Sequence, residues 1–160
     1  MNINFTVKHL IGAACVGAML ASSAVMAQSK VEVTNAWARA SAPAQKVGAV
    51  YMDLRSAAPA RLVSASSPVA AKVELHNMKM ENNVMKMYPV EAIDLPAGQS
   101  VKLAPGGYHV MLIDLKRDLV KGDTVPVTLT VEQSNKTRQT IEVKAEVRDL
   151  TVSGTPHGAH

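Results

Sequence analysis

Apolar and polar residues alternate in short runs along most of this 160-residue chain, and this alternation constrains the fold more than any other feature. Side chains on a β-strand point alternately to opposite faces, so such a run predicts a strand with one buried face. Two denser runs, residues 47–56 and 108–115, predict strands at the centre of a sheet. Clear alternation occurs in residues 31–40, 72–78, 100–106, 124–133 and 137–147.

Turn-forming residues separate these runs, and no long segment has helical periodicity. Residues 115–123, "LKRDLVKGD", are the one segment in which we expect a single turn of helix. Regularly spaced short strands are typical of a sandwich or a barrel. The sequence therefore predicts an all-β fold.

Residues 1–27 predict a secretory signal peptide. Lys8 is the only charged residue of this segment, and residues 10–26 are apolar or small throughout. The small residue Ala27 suits cleavage before Gln28. Because the apolar run is short and rich in Ala, Gly and Ser, we expect a cleaved signal and no stable membrane insertion afterwards.

Cys15 is the only cysteine of the chain, and it lies within the predicted signal peptide. We do not expect it to carry a lipid, because Gly12 stands where a lipoprotein signal usually has a leucine-type residue. Without it, the exported chain cannot form a disulfide, a thiol–disulfide reductase site or a blue-copper site with its thiolate ligand. Residues 28–150 are predicted to fold as one domain, followed by a flexible polar tail at 151–160.

Charge and composition exclude several classes of protein. The formal net charge is only +4 at pH 7, and the lysines and arginines are scattered. Because there is no basic stripe with interleaved aromatic residues, nucleic acid is not expected as a partner. No Ser-His-Asp set, paired carboxylates or cysteine nucleophile can be assigned. The sequence favours a binding protein over an enzyme, and we expect a monomer.

The segment "ELHNMKMENNVMKM", residues 74–87, predicts a hairpin with an unusual face. Two consecutive asparagines, Asn82 and Asn83, tolerate the positive backbone angles of a two-residue turn. Such a turn places the first Met-Lys-Met directly across from the second. One face of the hairpin then carries His76, Met78, Met80, Met85 and Met87, and the other carries Lys79 and Lys86.

Two further candidate metal ligands follow in "GGYHVMLIDL". His109 and Met111 are two residues apart, so they share a face of the predicted strand. If this strand lies beside the hairpin, imidazole nitrogens and thioether sulfurs converge, a donor set that suits Cu(I) better than zinc or calcium. Methionine also fills irregular gaps in cores, so packing is the alternative interpretation. Five of the six methionines after residue 27 lie between residues 78 and 111, and this clustering favours copper.

The spacing of four of these residues resembles a known signature. His76, Met87, His109 and Met111 match the H-x10-M-x21-H-x-M pattern of the PCu(A)C family of bacterial periplasmic copper chaperones. The flanking segments "AWARASAP", "GAVYMDL" and "GDTVPVTLTVE" are also similar to the family, and the resemblance covers residues 31–132. It implies a cupredoxin-like Greek-key β-barrel or sandwich in which these four side chains hold one Cu(I) at the surface.

The resemblance also implies partners. Copper would pass to a cytochrome oxidase subunit, notably the CuA centre of subunit II, sometimes alongside a thioredoxin-like copper protein. Two alternatives stay open, namely a periplasmic copper scavenger or buffer, and a β-sandwich interaction module without a metal.

His157 and His160 are candidates for a weak second site that binds Cu(II). Trp37 and Tyr108 are expected in the core or beside the site, with no chemistry of their own.

Overall fold

The computed structural model describes residues 30–149, and every regular element in this range is a β-strand. The predicted all-β fold is therefore observed. Within the described range, no helix is long and apolar enough to cross a membrane. The strands are β1 (Val31–Arg39), β2 (Val47–Ser56), β3 (Ala60–Ser66), β4 (Ala70–Glu81), β5 (Val84–Pro89), β6 (Ile93–Leu95), β7 (Ser100–Leu103), β8 (His109–Leu115), β9 (Thr124–Gln133) and β10 (Arg138–Arg148).

Two of the predictions lie outside the described residues. These are the signal peptide at residues 1–27 and the polar tail at 151–160 with His157 and His160. Both stay predictions.

The strands form one sheet in the order β5-β4-β8-β2-β1-β10-β9-β3-β6, and β7 pairs with β2. Strand β2 pairs with β8 along its first half and with β7 along its second half. One hydrophobic core contains residues from distant parts of this order, such as Leu75 on β4 and Leu62 on β3. The sheet therefore folds over on itself, and its inner faces pack together as in a sandwich.

Strands with a clear alternating or densely apolar pattern were predicted well, and irregular or very short strands were not. The predicted runs at 47–56 and 124–133 coincide with β2 and β9. Strand β3 was not predicted, because its register shifts between Leu62 and Ser64 and this bulge interrupts the alternation. Strand β6 has only three residues, too few to show a period.

The helical turn expected within residues 115–123 is wrong. Leu119, in the middle of this segment, is fully buried in the core. Its backbone N–H donates to Ser41 Oγ at 2.9 Å, and its carbonyl accepts from the Ser41 N–H at 3.0 Å. These contacts hold the segment as an irregular loop against the β1–β2 connection, so tertiary packing overrides a weak local preference.

Strands β4 and β8 separate the core from an outer face. Leu75 and Val110 are paired in register and buried in the core. The adjacent residues His76 and His109 are also paired, and they project from the opposite face. The candidate ligands therefore lie on the outer face of the sheet, supported by the core behind it.

Candidate metal centre

A pair of histidines on neighbouring strands forms the centre of the candidate site. His76 on β4 lies directly opposite His109 on β8, and their ring centroids are 5.8 Å apart. The side chain of His76 is only 12% exposed, and His109 is 2% exposed. The fold therefore brings together two residues that are far apart in the sequence, and it shields both rings from water.

His76 is held through one of its ring nitrogens. Its Nε2 lies 2.8 Å from Glu74 Oε2, and Glu74 also forms an ion pair with Lys72. The hydrogen bonds from His76 and Lys72 lower the pKa of Glu74, so this carboxyl is ionised and accepts the Nε2–H. His76 Nδ1 is buried and has no hydrogen-bond partner among residues 30–149. In the neutral ring this hydrogen bond keeps the proton on Nε2, so the Nδ1 lone pair can bind a metal.

His109 is held in the complementary way. Its Nδ1–H donates to the carbonyl of Gly107 at 3.0 Å, and its Nε2 is buried without a partner in the described chain. Burial lowers the pKa of His109, and this effect outweighs the hydrogen bond to Gly107, which acts in the opposite direction. The nearby His76 also lowers it. His109 is therefore a neutral imidazole at neutral pH, with the Nε2 lone pair available.

Two buried imidazole nitrogens without partners form an unusual arrangement, because buried polar atoms are nearly always hydrogen-bonded. A metal ion bound by both nitrogens would satisfy both. In known metal sites, the second ring nitrogen of a ligating histidine usually donates to a carboxylate or a backbone carbonyl. Glu74 and Gly107 supply one of each. The histidine pair therefore has the chemistry that a metal site requires.

The two predicted methionine ligands lie on the same face of the sheet as the histidine pair. Met87 on β5 pairs with Met78 on β4, next to the pair formed by His76 and Pro89, on the same face of the sheet. Met111 on β8 lies two residues beyond His109 on that face. Met87 and Met111 line one groove of about 190 Å³. The structure therefore places all four predicted ligands on the same face, with the histidines paired and the two methionines in a shared groove.

The hairpin has the predicted register throughout. Asn82 and Asn83 have φ angles of 52° and 61°, as a two-residue turn of this type requires. Lys79 and Lys86 lie on the opposite face, where both form ion pairs with Glu81. Their charge is therefore partly neutralised and directed away from the sulfurs.

An aromatic row supports the histidines from the side. Tyr51 on β2 lies 6.2 Å from the His109 ring and 4.6 Å from the Trp37 ring, between centroids. Burial raises the pKa of Tyr51, so its phenol stays protonated at neutral pH. Trp37 thus flanks the site through Tyr51, and Tyr108 packs against the hydrophobic core. Both agree with the expected supporting roles.

Sequence reasoning missed three residues of the site, namely Glu74, Gly107 and Tyr51. Glu74 and Gly107 each precede a histidine by two positions. On a strand this spacing places Glu74 on the same face as His76, so the alternation could have indicated it. The contact of Tyr51 depends on strand order, which the sequence alone does not specify.

This candidate site differs from a carboxylate or thiolate site. Among residues 30–149, no group of three or more His, Cys, Asp and Glu side chains is placed to hold a metal ion. Half of the predicted donors here are thioethers, which are soft ligands typical of Cu(I) sites.

Solved structures of the same fold define the class of domain. The "Copper-bound PCuAC domain from PmoF2" is 26% identical, with a TM-score of 0.58, and the match covers 74% of this chain and 94% of that one. The "Solution structure of CuI-DR1885 from Deinococcus Radiodurans" is 35% identical, with a TM-score of 0.51, and covers 80% and 85%. The fold is thus that of a PCu(A)C domain, and the all-β, cupredoxin-like prediction is confirmed.

The family follows from the sequence comparison. The family model described as "Putative lipoprotein LpqE-like" matches residues 31–147. "Putative lipoprotein Lxx21020" of Leifsonia xyli subsp. xyli is 31% identical over 117 residues, which are 71% of this chain and 69% of that protein. The chain therefore belongs to the LpqE-like family of PCu(A)C domains, and the resemblance inferred from its sequence is confirmed.

Proposed function

We propose that this protein is a periplasmic Cu(I) chaperone that holds one ion with His76, Met87, His109 and Met111. The observation that carries the proposal is the histidine pair. In each ring one buried nitrogen has no hydrogen-bond partner among residues 30–149, and the other nitrogen is fixed by a hydrogen bond. The copper-bound domains of the same class support the identity of the metal.

The donor set suits an ion that must be bound and then released. Thioethers are neutral, so protons do not compete with copper at sulfur, and Cu(I) is a soft ion that accepts them. Met87 is 47% exposed, whereas His109 is nearly inaccessible to solvent. An incoming ligand from a partner would therefore meet the Met87 side of the site first. Exchange could then proceed one donor at a time, with the histidines releasing copper last.

The receiving partner is proposed from the resemblance to the PCu(A)C family. We propose delivery to a copper-site subunit of a cytochrome oxidase, such as the CuA centre of subunit II, with a thioredoxin-like copper protein as a second partner in assembly. Export by residues 1–27 is part of this proposal, because these partners lie outside the cytoplasm. The protein would act by binding and transfer, and no catalytic step is required.

Copper binding is tested by anaerobic competition with a chromophoric Cu(I) chelator. The parent is compared with Met87→Leu and His109→Asn. Met52→Leu is the matched control. Met52 is a core residue away from the site, and the substitution removes its sulfur while keeping a side chain of similar volume. We expect one tightly bound Cu(I) in the parent and the control, and weaker binding in both site variants. Equal affinity in all four proteins would refute the site.

Delivery and buffering are separated by the phenotype of a deletion strain. Loss of oxidase activity that added copper restores would support delivery. Normal oxidase activity combined with greater copper sensitivity would instead assign the protein to copper tolerance.

A further inference from the structure

Three methionines of the hairpin, Met78, Met80 and Met85, are not among the four ligands of the proposed site. Met80 and Met85 form a cross-strand pair next to the Asn82–Asn83 turn. They lie on the same face as the Met78–Met87 pair, which in turn lies next to the histidine pair. Pairs of thioethers therefore follow one another along this face, from the tip of the hairpin to the imidazoles.

This outer pair is exposed to an extent that packing does not explain. Met80 is 63% exposed and Met85 is 41% exposed, and neither belongs to the hydrophobic core. Side chains directly opposite one another in an antiparallel pair are close enough to bind one ligand together. Methionine at such positions offers two flexible sulfur donors to solvent.

Charge on the hairpin does not oppose a cation at this place. Lys79 and Lys86 project from the other face, and both are ion-paired with Glu81. Lys79 also lies over the Tyr88 ring, 5.4 Å from its centroid. The ammonium groups are thus held away from the methionine face.

We propose that Met80 and Met85 form a second, weaker Cu(I) site from which the ion moves past Met78 and Met87 to the histidine pair. The inference rests on the proposed function, since it describes how copper reaches that site. Each step exchanges one neutral thioether for another donor, so it requires no redox partner and transfers no proton. The outer site is weaker because it has two exposed donors, whereas the inner site has four donors, two of them shielded.

The test is an anaerobic titration of the mature protein with Cu(I), followed by NMR of the methionine methyl groups. We expect the first equivalent to shift the methyl resonances of Met87 and Met111. The second equivalent should shift those of Met80 and Met85. Loading is then timed by stopped-flow mixing with a Cu(I)–chelator complex.

The decisive variant is Met80→Leu combined with Met85→Leu, which keeps the apolar area and removes both sulfurs. It should lose the second equivalent, load more slowly and keep the affinity of the first site. Val84→Ala is the control, because Val84 is 57% exposed at the same tip and has no sulfur. Unmoved Met80 and Met85 resonances, or a double variant that binds and loads like the parent, would overturn the proposal. Failure of the proposed function would give a different result. In that case the parent would show no tightly bound Cu(I) that depends on Met87 and His109.

Discussion

At the scale of single residues, the central feature is which ring nitrogen of each histidine carries the proton. Glu74 fixes the Nε2–H of His76, and the carbonyl of Gly107 fixes the Nδ1–H of His109. The free nitrogens are thus different atoms in the two rings. A hydrogen bond to the ring nitrogen that does not bind the metal orients the histidine and raises the basicity of its other nitrogen before any metal is bound.

Removing the carboxylate should therefore weaken copper binding without removing a ligand. For Glu74→Ala we expect roughly tenfold lower Cu(I) affinity with unchanged stoichiometry, because His76 loses its fixed tautomer and orientation. Chelator competition measures both quantities. Glu81→Ala is the matched control, since this glutamate lies on the other face of the hairpin, where it pairs with Lys79 and Lys86. If both variants bind like the parent, Glu74 has no supporting role.

The predicted donors and their supporting residues differ in how far the sequence could reveal them. His109 and Met111 lie within one strand, so local alternation was sufficient to place them on one face. The two methionines that share a groove, Met87 and Met111, come from strands that are not neighbours. The proximity of these two side chains depends on the curvature of the sheet, and the local sequence pattern does not indicate that curvature.

At the scale of elements, the β4–β5 hairpin sets the register of the site. Its turn residues Asn82 and Asn83 both adopt positive φ angles, which asparagine accepts and β-branched residues resist. If β5 slipped by one residue against β4, Met85 and Met87 would move to the lysine face. The turn therefore determines whether Met87 can reach copper.

Asn83→Val tests this dependence. A β-branched residue at φ 61° should destabilise the hairpin by about 1–2 kcal/mol. We expect faster hydrogen exchange of the β4–β5 amides and weaker Cu(I) binding. Asn83→Gly should match the parent in both, because glycine adopts positive φ without strain. Identical exchange in the Val and Gly variants would show that the turn does not control the register.

The elements that sequence reasoning placed correctly are those in which local chemistry and tertiary structure agree. The hairpin is one, because its turn residues and its alternation specify the same register. The segment around Leu119 is the opposite case, since burial of one leucine and two hydrogen bonds to Ser41 decide its conformation. Those partners lie far away in the chain, so the segment was misread as a turn of helix.

At the scale of the whole molecule, the site depends on the folded sheet. Its proposed donors come from β4, β5 and β8, and the core behind them is built from residues of many strands. A ligand that binds only the folded state stabilises it by mass action. If the protein binds copper as proposed, loading should therefore stabilise the folded state.

The proposed export predicts where the mature chain begins. We expect the protein recovered from the periplasm to begin at Gln28, because residues 1–27 fit a cleavable signal peptide. Intact-mass spectrometry measures this directly, and Cys15→Ala should leave the mature mass unchanged. A mature chain that begins at a lipidated Cys15 would contradict the prediction, and it would place the protein at a membrane surface, as the lipoprotein names of its relatives would suggest.

In the proposed site, two imidazole nitrogens and two thioether sulfurs bind one copper ion together. Copper K-edge X-ray absorption of the protein loaded with one equivalent of Cu(I) measures that donor set most directly. We expect a Cu(I) edge and a mixed shell of two nitrogen and two sulfur scatterers, with the sulfur contribution reduced in Met87→Leu. A shell without nitrogen, or one that is unchanged in Met87→Leu, would contradict it.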